Sequence, residues 1–298
     1  MATRSFAPAK VNLTLNLTGL RADGYHLLDS LVVFAETGDW LTATPSDALT
    51  LTVGGPKAAG VPTGATNLVL KAAHRLRDLR GVTTGAAIHL EKHLPHGAGI
   101  GGGSSDAAAA IRLLASLWTV APLTGPEALP LGADIPVCLA APAPTRMQGI
   151  GEILSPWPAL PPGWLVLVNP GIHIPTVQVF KKHDQLHGTG PWQADDHPLS
   201  DQDFHVWLLG QQNMLTKVVA DDGFAPVVPL ILNRLRDLPG CQNCDMSGSG
   251  STCWGWFDAE PAAHAAAARF AAHPAWWISV ARVLTPQDAL LRTAARKG

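Results

Sequence analysis

The chain begins with a strict alternation. In VNLTLNLT, residues 11–18, Val11, Leu13, Leu15 and Leu17 share one parity, and Asn12, Thr14, Asn16 and Thr18 share the other. A period of two marks a β-strand with one apolar and one polar face, and the same parity puts Lys10 beside Asn12 on the polar face. A turn over 21–24 follows, then an apolar run at 31–34 and a second strand signal at 49–53. The spacing of apolar residues in NLVLKAAHRLR predicts a helix over 67–77, and 86–90 reads as a strand. Beyond a glycine-rich stretch, Ile111, Leu114 and Trp118 recur at helical intervals, which predicts a helix over 104–118.

Pro, Gly and Thr dominate 121–130, which reads as a loop, and proline-rich stretches at 141–144 and 155–162 mark a candidate domain boundary. The second half opens on the strand WLVLVNPG at 164–171. A polar segment over 183–203 reads as a loop, and helices are predicted at 208–219 and 226–238. In CDMSGSGSTCWGWF a glycine–serine turn separates two strand-like runs, before a helix at 262–272 and a closing strand at 277–284. Strands and helices interleaved in both halves predict an α+β protein of two domains, 1–147 and 148–298.

Composition supports that size of core: 298 residues, 47% hydrophobic and 15% charged, suit two domains of ordinary length. With 21 basic and 23 acidic residues, a net charge of −2 and no basic run, neither nucleic acid nor an anionic membrane is expected as a partner. No apolar stretch is long enough to span a bilayer, and MATRSFAPAKVNL has no leader pattern, so the expected location is the cytoplasm. Four cysteines do not make a disulfide framework in a chain this long. Cys241 and Cys244 have C-x-x-C spacing, but no second pair accompanies them and no helix follows, so the spacing reads as coincidence.

The stretch PHGAGIGGGSSDAAAA, 95–110, carries five glycines and two serines. Glycine at that density costs backbone entropy that core packing does not require. A Walker A loop would place Lys before the Ser or Thr, whereas here Gly103 precedes Ser104 and Ser105; a dinucleotide fingerprint would need a strand-then-acid context that is missing. What remains is a flexible loop feeding a helix that begins with serines, whose free N–H groups and dipole suit a phosphate. The competing reading is a structural glycine turn with an ordinary serine N-cap. Taken alone, Asp134 in LGADIP reads as a turn residue, Lys10 as a strand lysine and Asp106 as a favourable charge on the helix dipole. Tyr25, the one tyrosine, stands beside His26 in DGYH, and the two offer a stacking and hydrogen-bonding platform.

Three segments, in order, resemble the motifs of the GHMP kinase family: PAKVNLTL at 8–15, PHGAGIGGGSSDAA at 95–108 and MSGSGSTCWG at 246–255. GLRADGYHLLDSLVVF at 19–34, LGADIP and NPGIHIPTVQVF at 169–180 resemble the branch whose substrate carries a cytidine. The resemblance implies a two-domain α+β fold with an N-terminal ATP-binding domain and a ferredoxin-like C-terminal domain, the active site lying in the cleft between them. It implies phosphorylation by ATP of the 2-hydroxyl of a cytidine diphosphate-linked methylerythritol, in the non-mevalonate route to isoprenoids. Lys10 and Asp134 match the catalytic pair, Asp134 as base and Lys10 as its electrostatic partner. Asn12, Tyr25, His26 and Phe180 match substrate-holding positions. Asn67 and Lys92 match residues around the adenine, and Pro95, Gly97, Gly99, Gly101, Gly102, Gly103, Ser104 and Ser105 match the loop over the ATP phosphates. Mg²⁺ would accompany ATP, with Ser104 or Ser105 as a hydroxyl ligand, in a monomer or weak homodimer.

The chain departs from the family pattern in QNMLT, 212–216, where Asn-Asp-Leu-Glu is usual; two acids are absent, which puts the local hydrogen bonds in doubt. Two alternatives stay open: a related kinase for homoserine, mevalonate or a sugar, and a non-catalytic small-molecule sensor of the same fold. The DGYH turn and Phe180 speak against the first, and retention of both Lys10 and Asp134 against the second.

Overall fold

Both faces of the opening strand are buried. The alternation at 11–18 places Val11, Leu13, Leu15 and Leu17 in the core as expected, but Lys10, Asn12 and Thr14 on the polar parity are also shut away from solvent. That face is held by internal partners: Asn12 Nδ2 donates to Ser30 Oγ at 2.8 Å, and the Leu31 N–H donates to Thr14 Oγ1 at 2.9 Å. Burying a polar group is costly unless it is so satisfied. The run is also two strands, not one: β1 is Thr3–Asn12 and β2 is Asn16–Leu20.

The computed structural model describes residues 3–158, 160–188, 190 and 201–288. After β2 come β3 (His26–Ser46), β4 (Leu49–Gly54), α1 (Leu68–Arg80), β5 (Gly85–Glu91) and α2 (Gly102–Trp118). Then follow α3 (Gly125–Ala128), a 3-10 turn (Leu129–Leu131), α4 (Ile135–Leu139), β6 (Thr145–Gly149), β7 (Ile153–Pro156) and β8 (Trp164–Asn169). The chain continues through α5 (Thr176–His187), α6 (Asp201–Leu209), α7 (Met214–Asp221), α8 (Val228–Arg236), β9 (Cys241–Met246), β10 (Cys253–Phe257), α9 (Glu260–Ala268) and β11 (Trp277–Arg282). Two compact units interleave along this order: 3–10, 37–96 and 101–140 in one, and 11–36, 97–100 and the described residues from 141 onward in the other.

In the first unit β4 and β5 pair in parallel, Leu49 opposite Ala86, joined by the crossover through α1. β5 pairs antiparallel with the second half of β3, from Trp40 opposite Glu91 to Ser46 opposite Gly85. Leu41, Ala43, Ile88 and Leu90 from the strands meet Val69, Ala73 and Leu76 of α1 and Ala110, Ile111 and Leu114 of α2. Ala107–Ala110 are fully buried, so α2 is covered nearly all round at its start, as an apolar helix must be.

The second unit is built on an antiparallel sheet of order β11-β8-β10-β9. Leu165–Val168 of β8 are buried on both parities, which explains their unbroken apolar run. Helices α7, α8 and α9 supply Val218, Ile231, Leu235 and Ala263 to the core with Val166, Val168 and Phe257. In the same unit the first half of β3 pairs with β2 and with β6, and β6 with β7.

Several boundaries differ from the sequence pattern. The loop expected over 121–130 contains α3, started by a capping box in which Thr124 and Glu127 bond each other's backbone N–H. The single helix expected at 208–219 is split into α6 and α7, because Asn213 caps a new start by accepting the Leu215 N–H at 3.0 Å. The polar segment 183–203 is helical at both ends, through α5 and α6; residues 191–200 between them lie outside the described residues. The candidate boundary at 141–162 holds β6 and β7. Among the described residues no helix is long and apolar enough to cross a membrane.

Candidate functional site

In the first unit Lys10, near the end of β1, and Asp134, at the N-cap of α4, form an ion pair with Nζ–Oδ2 at 3.0 Å. The lysine side chain is 4% exposed and the aspartate 37%, so the ammonium is enclosed while its carboxylate faces outward. An aspartate at an N-cap ordinarily turns back to accept a helix N–H. Asp134 makes no such bond, and Pro136 in the first turn has no N–H that needs an acceptor, so the carboxylate is free for Lys10.

Helix α2 begins at Gly102, two residues before the expected start, and its N-cap is Gly101 with no side-chain cap. The ordinary serine N-cap is therefore not what this turn contains. Gly101 has φ +61°, and a Cβ there would lie 3.0 Å from Lys10 Cβ; only glycine meets both demands. The first bond within the helix is Ser105 N–H to Gly101 C=O at 2.8 Å, so the N–H groups of Gly102, Gly103 and Ser104 have no partner inside it. The two serines differ. Ser105 is fully buried and its hydroxyl donates to the Pro8 carbonyl at 2.7 Å, whereas Ser104 is half-buried.

Lys92 and Asp106 join Asp39 of β3 in a buried cluster. The Lys92 ammonium donates to Asp106 Oδ2 at 2.8 Å and to Asp39, while Asp39 Oδ1 accepts the N–H groups of His93 at 2.6 Å and Leu94 at 2.9 Å. Burial, with Asp39 alongside, pushes the Asp106 carboxyl well above the usual carboxylate range against the pull of Lys92. Asp106 thus serves Lys92 and not the helix dipole, since it stands past the first turn of α2. The Lys92 ammonium lies 3.6 Å from where a Cβ of Gly102 would be, beneath the start of α2. Its backbone is committed too, accepting from Lys57 at 3.0 Å and donating to Gly54 at 2.8 Å. Asn67 caps α1, accepting the Val69 N–H at 2.8 Å and donating to the Pro62 carbonyl at 2.6 Å. Asp39 was not legible in the sequence, because it sits mid-strand in GDW with no motif around it.

In the second unit the loop residues 97–100 are tied to the turn after β9. Ser247 Oγ donates to the Gly99 carbonyl at 2.9 Å, and Thr252 donates to the Ala98 carbonyl through Oγ1 at 2.6 Å and through its N–H at 3.2 Å. Gly99 has φ +76°, and a Cβ there would strike the Ser247 carbonyl. The Asn12 N–H donates to Ser247 Oγ at 3.1 Å, and Asn12 Oδ1 is buried without a hydrogen-bond partner among the described residues. An unpaired buried acceptor costs about 1–3 kcal/mol.

The aromatic platform differs from the expected one. His26 packs on Phe180 with ring centroids 4.7 Å apart and planes at 37°, and its Nε2 bonds Asp184 Oδ1 at 2.8 Å. Tyr25 points outward at 57% exposure, with the Arg21 guanidinium 5.4 Å from its ring. Asp184, which orients His26, carries no signal of its own in the sequence, because it stands in a polar stretch whose composition reads as loop. In QNMLT the missing acids are replaced from β9: Asp245 accepts from the Asn213 N–H at 2.7 Å and from Thr216 Oγ1 at 2.6 Å. Met214 Sδ accepts the Leu17 N–H at 3.1 Å, and Asn213 Nδ2 reaches the carbonyls of Met246 at 2.8 Å and Gly248 at 2.7 Å.

Residues 67–142 match the family model for the GHMP kinases N terminal domain. The 4-diphosphocytidyl-2-C-methyl-D-erythritol kinase of Jannaschia sp. is 50% identical over 285 residues, covering 94% of this chain and 97% of that protein. The kinase of the same name from Paramagnetospirillum magneticum is 50% identical over 287 residues, covering 94% and 98%. A crystal structure of 4-(cytidine 5'-diphospho)-2C-methyl-D-erythritol kinase superposes with a TM-score of 0.76 at 32% identity, covering 94% of this chain and 98% of the other.

The Asp39–Lys92–Asp106 cluster makes a prediction about stability. A carboxyl whose folded pKa is raised above its unfolded value of 3.8 stabilises the fold below that value, and the contribution fades as pH rises through the raised folded value. Asp106→Asn, which resembles the protonated acid, is therefore expected to flatten the fall in melting temperature above pH 4 and to melt no lower than wild type in alkali. Thermal melts across pH read this directly; parallel curves for variant and wild type would contradict it.

Proposed function

The chain belongs to the GHMP kinases, in the family of the 4-diphosphocytidyl-2-C-methyl-D-erythritol kinases, and from there we propose how its residues transfer the γ-phosphoryl of ATP to the 2-hydroxyl of that substrate. The observation that supports the reading most strongly is the Lys10–Asp134 pair at 3.0 Å, with Gly101 and the start of α2 packed against Lys10. A base and a phosphate-receiving helix end are thereby adjacent within one unit.

Phosphoryl transfer asks the protein chiefly for positioning and for positive charge around the phosphates. Asp134, outward-facing, accepts the proton of the 2-hydroxyl as it attacks. Lys10 holds the carboxylate in place and adds charge beside it. The N–H groups of Gly102, Gly103 and Ser104, at the positive end of α2, bind the phosphate oxygens, with Pro95, Gly97 and Gly99 shaping the loop ahead of them. Lys92 supports this helix start from behind, and Asn67 at the α1 cap is the adenine-side residue.

Magnesium bound with ATP would neutralise charge on the β- and γ-phosphates. Such an ion would be carried mainly by the triphosphate. Ser104 is the hydroxyl suited to it, since the Ser105 hydroxyl is spent on Pro8.

On the acceptor side, His26 and Phe180 stack on the cytosine, Asp184 fixes the His26 ring, and the unpaired Asn12 Oδ1 accepts from a substrate donor. Tyr25 covers the base from the rim. Residues 1–147 supply the phosphate loop and catalytic pair, and 148–298 the substrate wall through Phe180.

ADP release by purified protein is expected with 4-diphosphocytidyl-2-C-methyl-D-erythritol and not with homoserine or mevalonate; turnover of either of those without the first would overturn the assignment. Asp134→Asn should lose about 10²–10⁴ in kcat, the usual value of a positioned base. Tyr25→Ala should raise the KM for the cytidine substrate far more than that for ATP. Equal changes in both would put Tyr25 outside the substrate pocket.

A further inference from the structure

Helix α2 lies along β1 through one stripe of its surface. Gly101, Ser105 and Arg112, four and then seven residues apart, fall on nearly the same face of the helix. They meet Lys10, Pro8 and Phe6 in turn. Gly101 packs on Lys10 Cβ, Ser105 Oγ donates to the Pro8 carbonyl at 2.7 Å, and Arg112 Nη2 donates to the Phe6 carbonyl at 3.2 Å. Alternate carbonyls of a strand point to the same edge, so the helix satisfies the edge of β1 that leads to Lys10.

Arg112 does something Ser105 does not. Its other amino group, Nη1, donates to the Cys138 carbonyl at 3.0 Å. Cys138 lies in the last turn of α4, the five-residue helix whose N-cap is Asp134. A helix that short does not hold its shape alone, and its final carbonyls are open ends that a guanidinium suits in both geometry and charge. No carboxylate partners Arg112 among the described residues, and burial lowers its pKa from the ordinary guanidinium value. A cation kept in such a place without an acid partner is there for the carbonyls it joins.

We propose that Arg112 is a positioning residue for phosphoryl transfer: by bridging Phe6 of β1 and Cys138 of α4, it sets the separation of Lys10 and Asp134. This rests on the catalytic reading of that pair. A guanidinium spans two carbonyls with a rigid fork, whereas a lysine ammonium is a point donor that satisfies one and slackens the other. Arg112 touches neither substrate nor ATP in this account, so its loss acts on kcat through Asp134 and leaves the Michaelis constants in place.

The test uses the full chain with Arg112→Lys and Arg112→Met, alone and in the Asp134→Asn background, each checked for folding by circular dichroism and melting temperature. In folded protein both single variants should lose about 10- to 100-fold in kcat with both KM values nearly unchanged, the scale expected for a displacement of about 1 Å at a reacting group. In the Asp134→Asn background Arg112→Met should cost less than about threefold more, because the group it positions is already disabled. Wild-type turnover is the control for the parent reading, and its absence would sink that reading separately. With wild type active, an unchanged kcat in folded Arg112→Lys, or an equal loss from Arg112→Met in both backgrounds, would overturn the positioning role. Should Arg112→Met not fold, the lysine variant alone decides.

Discussion

The enclosed ammonium of Lys10 is the constraint around which the first unit is arranged. A charge taken out of water needs a close partner, and the partner here is a carboxylate that keeps one side open. That single requirement explains otherwise unrelated choices. Gly101 is glycine because a side chain would strike Lys10. Asp134 forgoes the capping bond its position offers, and Pro136 removes a donor it would otherwise have served. Ser105 spends its hydroxyl on the strand that carries Lys10, leaving Ser104 as the freer of the two serines.

The glycine stretch lacks the lysine of a Walker loop, and two cations from elsewhere in the chain lie at the start of the helix it feeds. One cation, Lys10, is adjacent to the helix start in space though distant in sequence. Another, Lys92, lies under Gly102, but the buried Asp39 and Asp106 side chains engage it, so its service is to hold α2 in place. The loop residues ahead of the helix are anchored in the second unit by Ser247 and Thr252, which makes the third sequence motif a clamp on the second. The ring pair of His26 and Phe180 is fixed in the same way, by an acid one turn further along α5.

Much of this was legible in the residues. Alternation at 11–18 located the strand that carries Lys10 and Asn12, and glycine density located the turn that opens α2, the helix proposed to receive phosphate. The motifs then named the family that half-identical relatives bear out. Among the polar contacts, what pattern missed was of one kind: residues whose partners come from far along the chain. Burial of the polar face of β1, the Asp39 cluster, the Asp184–His26 bond and the replacement of two lost acids by Asp245 all join residues distant in sequence, so no local period reports them. Helix α3 is a different case, since its Thr124–Glu127 capping box is a local signal that the Pro and Gly content of the segment masks.

The central claim is that Lys10 and Asp134 act as one catalytic unit. A double-mutant cycle on kcat/KM for the cytidine substrate, with Lys10→Met, Asp134→Asn and both together, measures this most directly. Residues that act as a unit give a double variant about as slow as the slower single one. Losses that multiply would show that the two side chains contribute independently, and the account built on their pairing would fail.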